Sequence, residues 1–361
     1  MSLYLASTAT TIVPAATTTF PNLLPPPPID LRRLERGMSL PMPPAPPPPS
    51  LVATNNRYLG TKHKAIVVLG ATGTGKSRLA VDLALTFDGE VINADKIQVH
   101  AGLDVATNKV TDAERAGVPH HLLGVVPPDA EFTAADFRRD ATRVAGEVTA
   151  RGRVPIVAGG SNSFIEELVD GGDRRAFREV FDLCFLWVDV CLPVLHVHVA
   201  RRVDEMRRRG MVDEVAAAFD PRRVDYTRGV WRAIGAPELD AYLRWSGHGG
   251  EGERARLLEE AMEEIKSNTR RLACRQRGKI QRLARTWRVR RVDATEVFRR
   301  RGGDADEAWR RLVAAPCIEA VRSFLNDEDD DDEEEEDDDL LLPQVVPVFA
   351  PTPAAAAAVA V

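Results

Sequence analysis

The segment 70–77 has the residue types and the spacing of a phosphate-binding loop. It matches the pattern G-x-x-x-x-G-K-[ST] at every fixed position, and an apolar run precedes it. We predict that its backbone amides surround a diphosphate at the start of a helix, while Lys76 neutralises phosphate oxygens. Ser77 would offer its hydroxyl to a Mg²⁺ ion that the diphosphate also binds. The residues predicted to form this site are Gly70, Ala71, Thr72, Gly73, Thr74, Gly75, Lys76 and Ser77.

A carboxylate follows the next apolar run along the chain. The run 90–94 is typical of a strand, and Asp95 comes directly after it. Ligands of open α/β sheets bind at the carboxyl ends of the strands, so Asp95 and Lys76 should face the same crevice. We predict that Asp95 is a general base that accepts a proton from a weakly nucleophilic amine. The alternatives are that it caps the following turn or binds Mg²⁺ through water.

The elements that must position these residues alternate between strand-like and helix-like patterns. Apolar runs typical of buried strands occur at 65–69, 90–94, 154–158 and 185–190. Leu79, Leu83 and Phe87 recur at helical spacing, and a long helical pattern covers 253–287. This alternation predicts an α/β fold: a P-loop NTPase-like parallel sheet flanked by helices, with a smaller helical portion toward the C-terminus.

Composition divides the 361-residue chain into three segments. Residues 1–61 are rich in Ser, Thr and Pro, which favours a targeting peptide and a proline-rich disordered segment. We expect plastid import, with a cytoplasmic or mitochondrial location as the alternative. Residues 62–326 form the predicted catalytic domain, and 327–361 a disordered tail that is first acidic and then rich in Pro and Ala.

The charge balance favours anionic substrates. The formal net charge is −6, but the run 327–339 contributes thirteen acidic residues, so the remainder of the chain carries +7. Arginine supplies much of this positive charge and suits phosphate groups. No apolar run approaches the roughly 18 residues of a spanning helix, so we expect no membrane association.

Several blocks of the chain together resemble the isopentenyltransferase family, and most closely its plant adenylate branch. They include the loop 70–77, Ile92-Asn-Ala-Asp-Lys-Ile-Gln98, the block 102–109, Ala158-Gly-Gly-Ser-Asn-Ser-Phe164 and Arg271-Leu-Ala-Cys-Arg-Gln276. The similarity extends over about 62–325, nearly the whole predicted ordered chain. It implies that the loop binds the diphosphate of dimethylallyl diphosphate, while Asp95 deprotonates the N6 amine of an adenine nucleotide. The expected reaction is therefore carbon–nitrogen bond formation.

The resemblance brings further residues into the predicted site. Arg228 matches an arginine that the family places near the diphosphate, although an exposed surface position is the alternative. Lys109 is predicted to contact nucleotide phosphates. Ser161 is predicted to form a hydrogen bond near the amine or the diphosphate, or to act as a helix N-cap. Family members commonly carry another arginine near Trp231, whereas here Arg232 follows it. This departure argues against a site role for Trp231 and Arg232.

The sequence therefore predicts an adenylate dimethylallyltransferase that acts on ADP or ATP, with AMP as a further acceptor, in cytokinin biosynthesis. The alternatives are a tRNA dimethylallyltransferase, a small-molecule kinase that uses the same loop for ATP, or a nucleotide-binding protein without turnover. The acidic run would repel an RNA backbone, which favours a free nucleotide. We expect Mg²⁺ as the cofactor, small-molecule substrates, no nucleic-acid partner and a monomer.

Overall fold

The computed structural model describes residues 62–172, 177–247 and 250–326. The predicted targeting segment 1–61 and the predicted tail 327–361 lie outside these described residues. None of the helices in the described ranges is both long and apolar enough to cross a bilayer.

A six-stranded sheet, parallel throughout, forms the centre of the described chain. The strand order is β3-β2-β4-β1-β5-β6, so the first strand lies between the fourth and the fifth. The strands are β1 His63–Gly70, β2 Gly89–Asn93, β3 His120–His121, β4 Val154–Ala158, β5 Phe181–Asp189 and β6 Val289–Asp293. The carboxyl ends of β1, β2 and β4 therefore lie side by side, and the loops that follow them can share one crevice.

Helices cover both faces of the sheet, which is why the central strands are apolar on both sides. The longer helices are α1 Lys76–Phe87, α3 Ala134–Ala150, α4 Asn162–Asp170, α6 Leu192–Arg208, α9 Gly250–Leu283, α11 Gly302–Trp309 and α12 Ala315–Asn326. The short ones are α2 Asp112–Arg115, α5 Phe177–Val180, α7 Met211–Ala217, α8 Asp240–Leu243 and α10 Thr295–Arg299, with a 3₁₀ turn at Gly229–Arg232 and a π turn at Arg310–Ala314. One face packs against α1, α6 and α10 to α12, and the other against α3, α4 and the end of α9.

The four predicted strands are confirmed, and three of them differ in extent by one to four residues at an end. β4 coincides with the predicted run, whereas β5 begins at Phe181, four residues before the predicted start at 185. Phe181 is buried, but the next three residues of β5 are only partly buried and include Asp182, so the continuous apolar pattern begins later than the strand does. Neither β3 nor β6 was predicted; β6 contains two arginines and an aspartate among its five residues, so it has no continuous apolar run.

The smaller helical portion is present, but in the sequence it lies between strands β5 and β6 of the sheet. Its core joins the end of α6 to α7, α8 and the first half of α9, and includes Met211, Trp231, Leu239 and Met262. The chain then returns through α9 to form β6, and the helices that follow pack back on the sheet face next to α1. Helix α9 therefore connects the helical portion to the carboxyl edge of the sheet.

Candidate active site

A cavity of about 500 Å³ opens at the carboxyl ends of β1, β2 and β4. Five residues of the predicted loop line it, namely Thr72, Gly73, Gly75, Lys76 and Ser77. Asp95 and Ser161 line the same cavity. The remaining walls come from α6, α9 and the C-terminal helices. The prediction that the loop and Asp95 face one crevice is therefore met by the geometry.

Close packing fixes the shape of the loop. Gly75 has a φ of +89°, in the left-handed region, and a Cβ atom there would lie 2.6 Å from the ring of Trp309. Trp309 is itself held, because its Nε1 donates a hydrogen bond of 2.7 Å to Asp82 on α1. Only glycine satisfies both the backbone angle and the contact, so the C-terminal helices support the phosphate loop from behind.

Two cations, Lys76 in the loop and Arg202 next to it, can bind an anion in the cavity. Burial lowers the pKa of Lys76 to about 8, against an opposing contribution from Asp95, and the charge of Arg202 lowers it further. Burial also lowers the pKa of Arg202 to about 10, again opposed by Asp95. Arg202 donates a 2.6 Å hydrogen bond to Oγ1 of Thr72 in the loop, while its enclosed Nε has no partner in the described chain. A diphosphate would supply the missing negative charge for both.

Asp95 lines the cavity, and one of its two carboxylate oxygens accepts hydrogen bonds from the backbone. Its Oδ1 accepts hydrogen bonds from the backbone N–H of Ile97 at 3.0 Å and of Gln98 at 3.4 Å. Oδ2 lies on the side of Gly160, where a Cβ atom would approach it to 3.0 Å. The turn-capping alternative is thus realised by Oδ1, and Oδ2 is left to accept a proton.

Ser161 holds the turn that carries Asp95. Its Oγ accepts a 2.8 Å hydrogen bond from the backbone N–H of Lys96, and its own N–H donates to the carbonyl of Ala94 at 3.1 Å. Ser161 precedes α4, but its side chain makes no capping hydrogen bond to that helix. The predicted N-cap role is therefore not what the side chain does, and its hydroxyl fixes the Asp95 turn instead.

A second group of cations lines the same cavity. Lys96, Arg232 and Arg275 line it, and burial together with the charges of Arg232, Lys279 and Arg275 lowers the pKa of Lys96, although Asp95 opposes this. The sequence prediction missed Lys96 and Arg275 and argued against Arg232. It also missed Arg202, since on a helix such arginines cannot be told from surface ones by pattern alone.

Two predicted site residues lie elsewhere. The Arg228 side chain is 68% exposed and lies 3.7 Å from Glu131 and 3.8 Å from Asp225, and it does not line the cavity. Lys109 is buried, but its Nζ donates to Asp104 at 2.6 Å and to the carbonyl of Gly102 at 2.7 Å. These local partners keep both cations away from the loop, and Thr107 and Asn108 reach the cavity where Lys109 was predicted to.

The residues of the site fit a magnesium ion that is bound mainly by substrate. Ser77 is exposed on the cavity wall, and among the described residues no group of three or more His, Cys, Asp or Glu could hold a metal. A single hydroxyl with a carboxylate nearby is a typical protein contribution to Mg²⁺ that keeps its water and phosphate ligands.

The parallel sheet and the loop between β1 and α1 define an α/β protein with a P-loop. Residues 98–180 and 172–282 match the model of the family described as IPP transferase. The chain belongs to this family, since it also aligns along most of its length with family enzymes at about half identity.

Three curated relatives of this chain are plant enzymes. Adenylate isopentenyltransferase 3, chloroplastic, of Arabidopsis thaliana is 51% identical over 80% of this chain and 88% of its own length. Adenylate isopentenyltransferase 5, chloroplastic, is 56% identical over 74% and 82%, and adenylate isopentenyltransferase 7, mitochondrial, is 49% identical over 75% and 83%, both from the same plant.

Solved structures of tRNA-modifying enzymes share the fold. A eukaryotic dimethylallyltransferase acting on tRNA superposes with a TM-score of 0.62 at 24% identity, covering 73% of this chain and 80% of that one. The tRNA isopentenylpyrophosphate transferase of Bacillus halodurans gives 0.58 at 26% identity, covering 73% and 99%. The P-loop NTPase-like fold predicted from the sequence is confirmed.

Proposed function

We propose that this protein transfers the dimethylallyl group of dimethylallyl diphosphate to the N6 amine of ADP or ATP, releasing diphosphate, as a step of cytokinin biosynthesis. The observation that carries the proposal is that Lys76 and Asp95 face one cavity from the ends of nearby strands. The curated plant relatives, which are adenylate isopentenyltransferases, support it.

In the proposed reaction, the residues that line the cavity have distinct parts. The N6 lone pair forms a bond to C1 of the allyl group while the C1–O bond breaks, and its electron pair leaves on the diphosphate. The N6 proton goes to Oδ2 of Asp95, which restores the lone pair that the purine ring withdraws. Lys76, Arg202 and the loop amides bind the departing diphosphate and stabilise its growing charge. Mg²⁺ held by the diphosphate and the Ser77 hydroxyl would add Lewis-acid stabilisation of that charge.

The second cationic group supports a polyphosphate acceptor. Lys96, Arg232 and Arg275 are too many positive charges for the adenine ring alone, and the first diphosphate already has Lys76 and Arg202. An ADP or ATP tail would neutralise them more completely than the single phosphate of AMP does. We therefore propose the preference ADP or ATP over AMP.

An acceptor assay tests the function directly. The purified protein is incubated with dimethylallyl diphosphate, MgCl₂ and one of AMP, ADP, ATP or an unmodified tRNA, and the products are identified by mass. We expect N6-dimethylallyl nucleotides from ADP and ATP together with released diphosphate, and loss of the product in Lys76→Met. ADP formed from ATP together with a phosphorylated acceptor would identify a kinase, and product from tRNA alone would identify a tRNA dimethylallyltransferase; either result would refute the proposal.

We also propose import into plastids. Two of the plant relatives carry the word chloroplastic in their names and a third mitochondrial, so the family uses both organelles. A fluorescent fusion of the full chain in leaf cells should overlap chlorophyll fluorescence. Overlap with a mitochondrial marker instead would contradict the plastid assignment. The monomeric state and the absence of a nucleic-acid partner stay predictions, which size-exclusion chromatography with light scattering and the tRNA arm of the acceptor assay address.

A further inference from the structure

A buried glutamine on α9 joins the phosphate loop to the turn after β4. Gln276 is 9% exposed and lines the cavity. Its Oε1 accepts a 2.7 Å hydrogen bond from the backbone N–H of Thr72, and its Nε2 donates a 2.7 Å hydrogen bond to the carbonyl of Gly160. One amide therefore satisfies a donor in one loop and an acceptor in the other, which also fixes the orientation of the amide.

The same turn is connected to the carboxylate. Ser161, the residue after Gly160, donates its N–H to Ala94 and accepts from the N–H of Lys96, and these two residues flank Asp95. A continuous set of hydrogen bonds thus runs from the phosphate loop through Gln276 to the turn that holds the base. The backbone of Gln276 is fixed as well, because its carbonyl accepts a 3.0 Å hydrogen bond from Nδ2 of the buried Asn162.

This connection spans the two halves of the proposed reaction. The loop binds the leaving group, and Asp95 receives the proton, so the reacting carbon and nitrogen must lie between them. A displacement requires the two reacting atoms to be held about 3–3.5 Å apart and aligned, and an error of about 1 Å can cost 10²-fold in rate. A short neutral amide can set this spacing without adding charge beside Asp95.

We infer that Gln276 is a positioning residue that sets the distance between the diphosphate loop and the Asp95 turn, through its paired hydrogen bonds to Thr72 and Gly160. The inference rests on the proposed function, because it assigns the leaving group to one loop and the base to the other. Gln276 acts on turnover and not on the affinity for either substrate alone.

The first test replaces the amide by a side chain of similar length. Gln276→Met fills the same space but forms neither hydrogen bond, and Gln281→Met on an exposed position of the same helix is the matched control. We expect kcat to fall roughly 10–100-fold in Gln276→Met. The dissociation constants of inorganic diphosphate and of ADP, each measured alone by calorimetry, should change less than about threefold, which is small beside a displaced reacting geometry. A parallel fall in both affinities and kcat would indicate a general structural role and overturn the inference, as would a kcat within threefold of wild type.

A second variant breaks the same connection from the opposite partner. A Cβ atom at Gly160 would lie 2.7 Å from Nε2 of Gln276 and 3.0 Å from Oδ2 of Asp95, so Gly160→Ala should displace both groups and lose at least as much kcat as Gln276→Met does. Gln276→Glu keeps the acceptor for Thr72 but loses the donor to Gly160 and adds a negative charge near Asp95, so its kcat should be lower than that of Gln276→Met. A Gln276→Glu enzyme as active as wild type would refute the need for the neutral donor.

Amide hydrogen exchange separates this inference from the proposed function. Peptides that cover 70–77 and 158–163 should both exchange faster in Gln276→Met than in wild type and in Gln281→Met, whether or not the wild-type protein prenylates a nucleotide. Unchanged exchange in either peptide would overturn the coupling of the loops by Gln276. Absence of prenylated product from the wild-type protein would refute the proposed function alone.

Discussion

Replacing Asp95 by asparagine separates its role in capping the turn from its proposed role as the base. Oδ1 accepts from the N–H groups of Ile97 and Gln98, and asparagine retains a carbonyl oxygen for this purpose. Oδ2, on the side of Gly160, becomes an amide nitrogen that cannot accept a proton. Asp95→Asn should therefore keep the turn and remove the base. Since the loss of a general base costs about 10²–10⁴-fold, we expect kcat to fall at least 100-fold.

Asp95→Ala provides the comparison, because it removes the cap as well. Two hydrogen bonds of roughly 1 kcal/mol each are lost, so the free energy of unfolding should fall by about 1–2 kcal/mol. For a domain of this size that corresponds to a decrease in Tm of several degrees, at about 2–4 °C per kcal/mol. Asp95→Asn should keep its Tm within about 2 °C of wild type on the same scale.

The charge of Asp95 gives a third readout. Asp95 raises the pKa of Lys76 and of Arg202 against the effect of burial. In Asp95→Asn the pH above which diphosphate affinity falls should therefore move below its wild-type position near 8. The assay combines steady-state formation of N6-prenylated ADP with differential scanning calorimetry and diphosphate calorimetry. Turnover within threefold of wild type in a well-folded Asp95→Asn protein would refute the assignment of Asp95 as the base.

Three further predictions concern the cations and the loop. Burial lowers the pKa of Lys76 to about 8, and its ammonium form attracts the anion. Diphosphate affinity should therefore change little between about pH 7 and 8 and fall by up to about tenfold per pH unit above pH 8. Lys76→Arg should abolish this fall, and its persistence in that variant would contradict the assignment. Arg202→Met should raise the KM for dimethylallyl diphosphate at least tenfold, because a charged hydrogen bond contributes about 1.5–3 kcal/mol. Arg228→Met, at an exposed ion pair, should change this KM less than about fivefold. Equal effects of the two variants would place Arg228 at the diphosphate. Gly75→Ala should lower the free energy of unfolding, measured in urea, by about 2–4 kcal/mol, because the alanine would strain the backbone and overpack against Trp309. A free energy of unfolding within about 0.5 kcal/mol of wild type, the range of ordinary surface substitutions, would refute the contact.

The sequence predicts those parts of the site in which the reactive residue lies directly after a strand that positions it. The loop 70–77 follows its strand directly, and Asp95 follows the next one, so the parallel sheet brings them together without further information. Ser161 follows β4 in the same way, although its hydroxyl caps the Asp95 turn and not α4.

The parts that escaped prediction depend on contacts between distant segments. Gln276 is 204 residues from Thr72, and Arg202 is 130 residues from it, yet both contact this residue. Their helices carry many polar residues, and no local pattern distinguishes one that faces the cavity from one in solvent. The converse error has the same origin, because Lys109 matched a motif but pairs with Asp104, five residues away.

The charge distribution in the cavity links these observations to function. The described residues that line it include six Lys and Arg side chains but only one carboxylate, Asp95. Such an imbalance is unfavourable in the empty protein because like charges repel, and burial, which lowers the pKa of Lys76 to about 8, adds to the cost of keeping these cations charged. Two polyphosphates, one at each group of cations, would restore the balance.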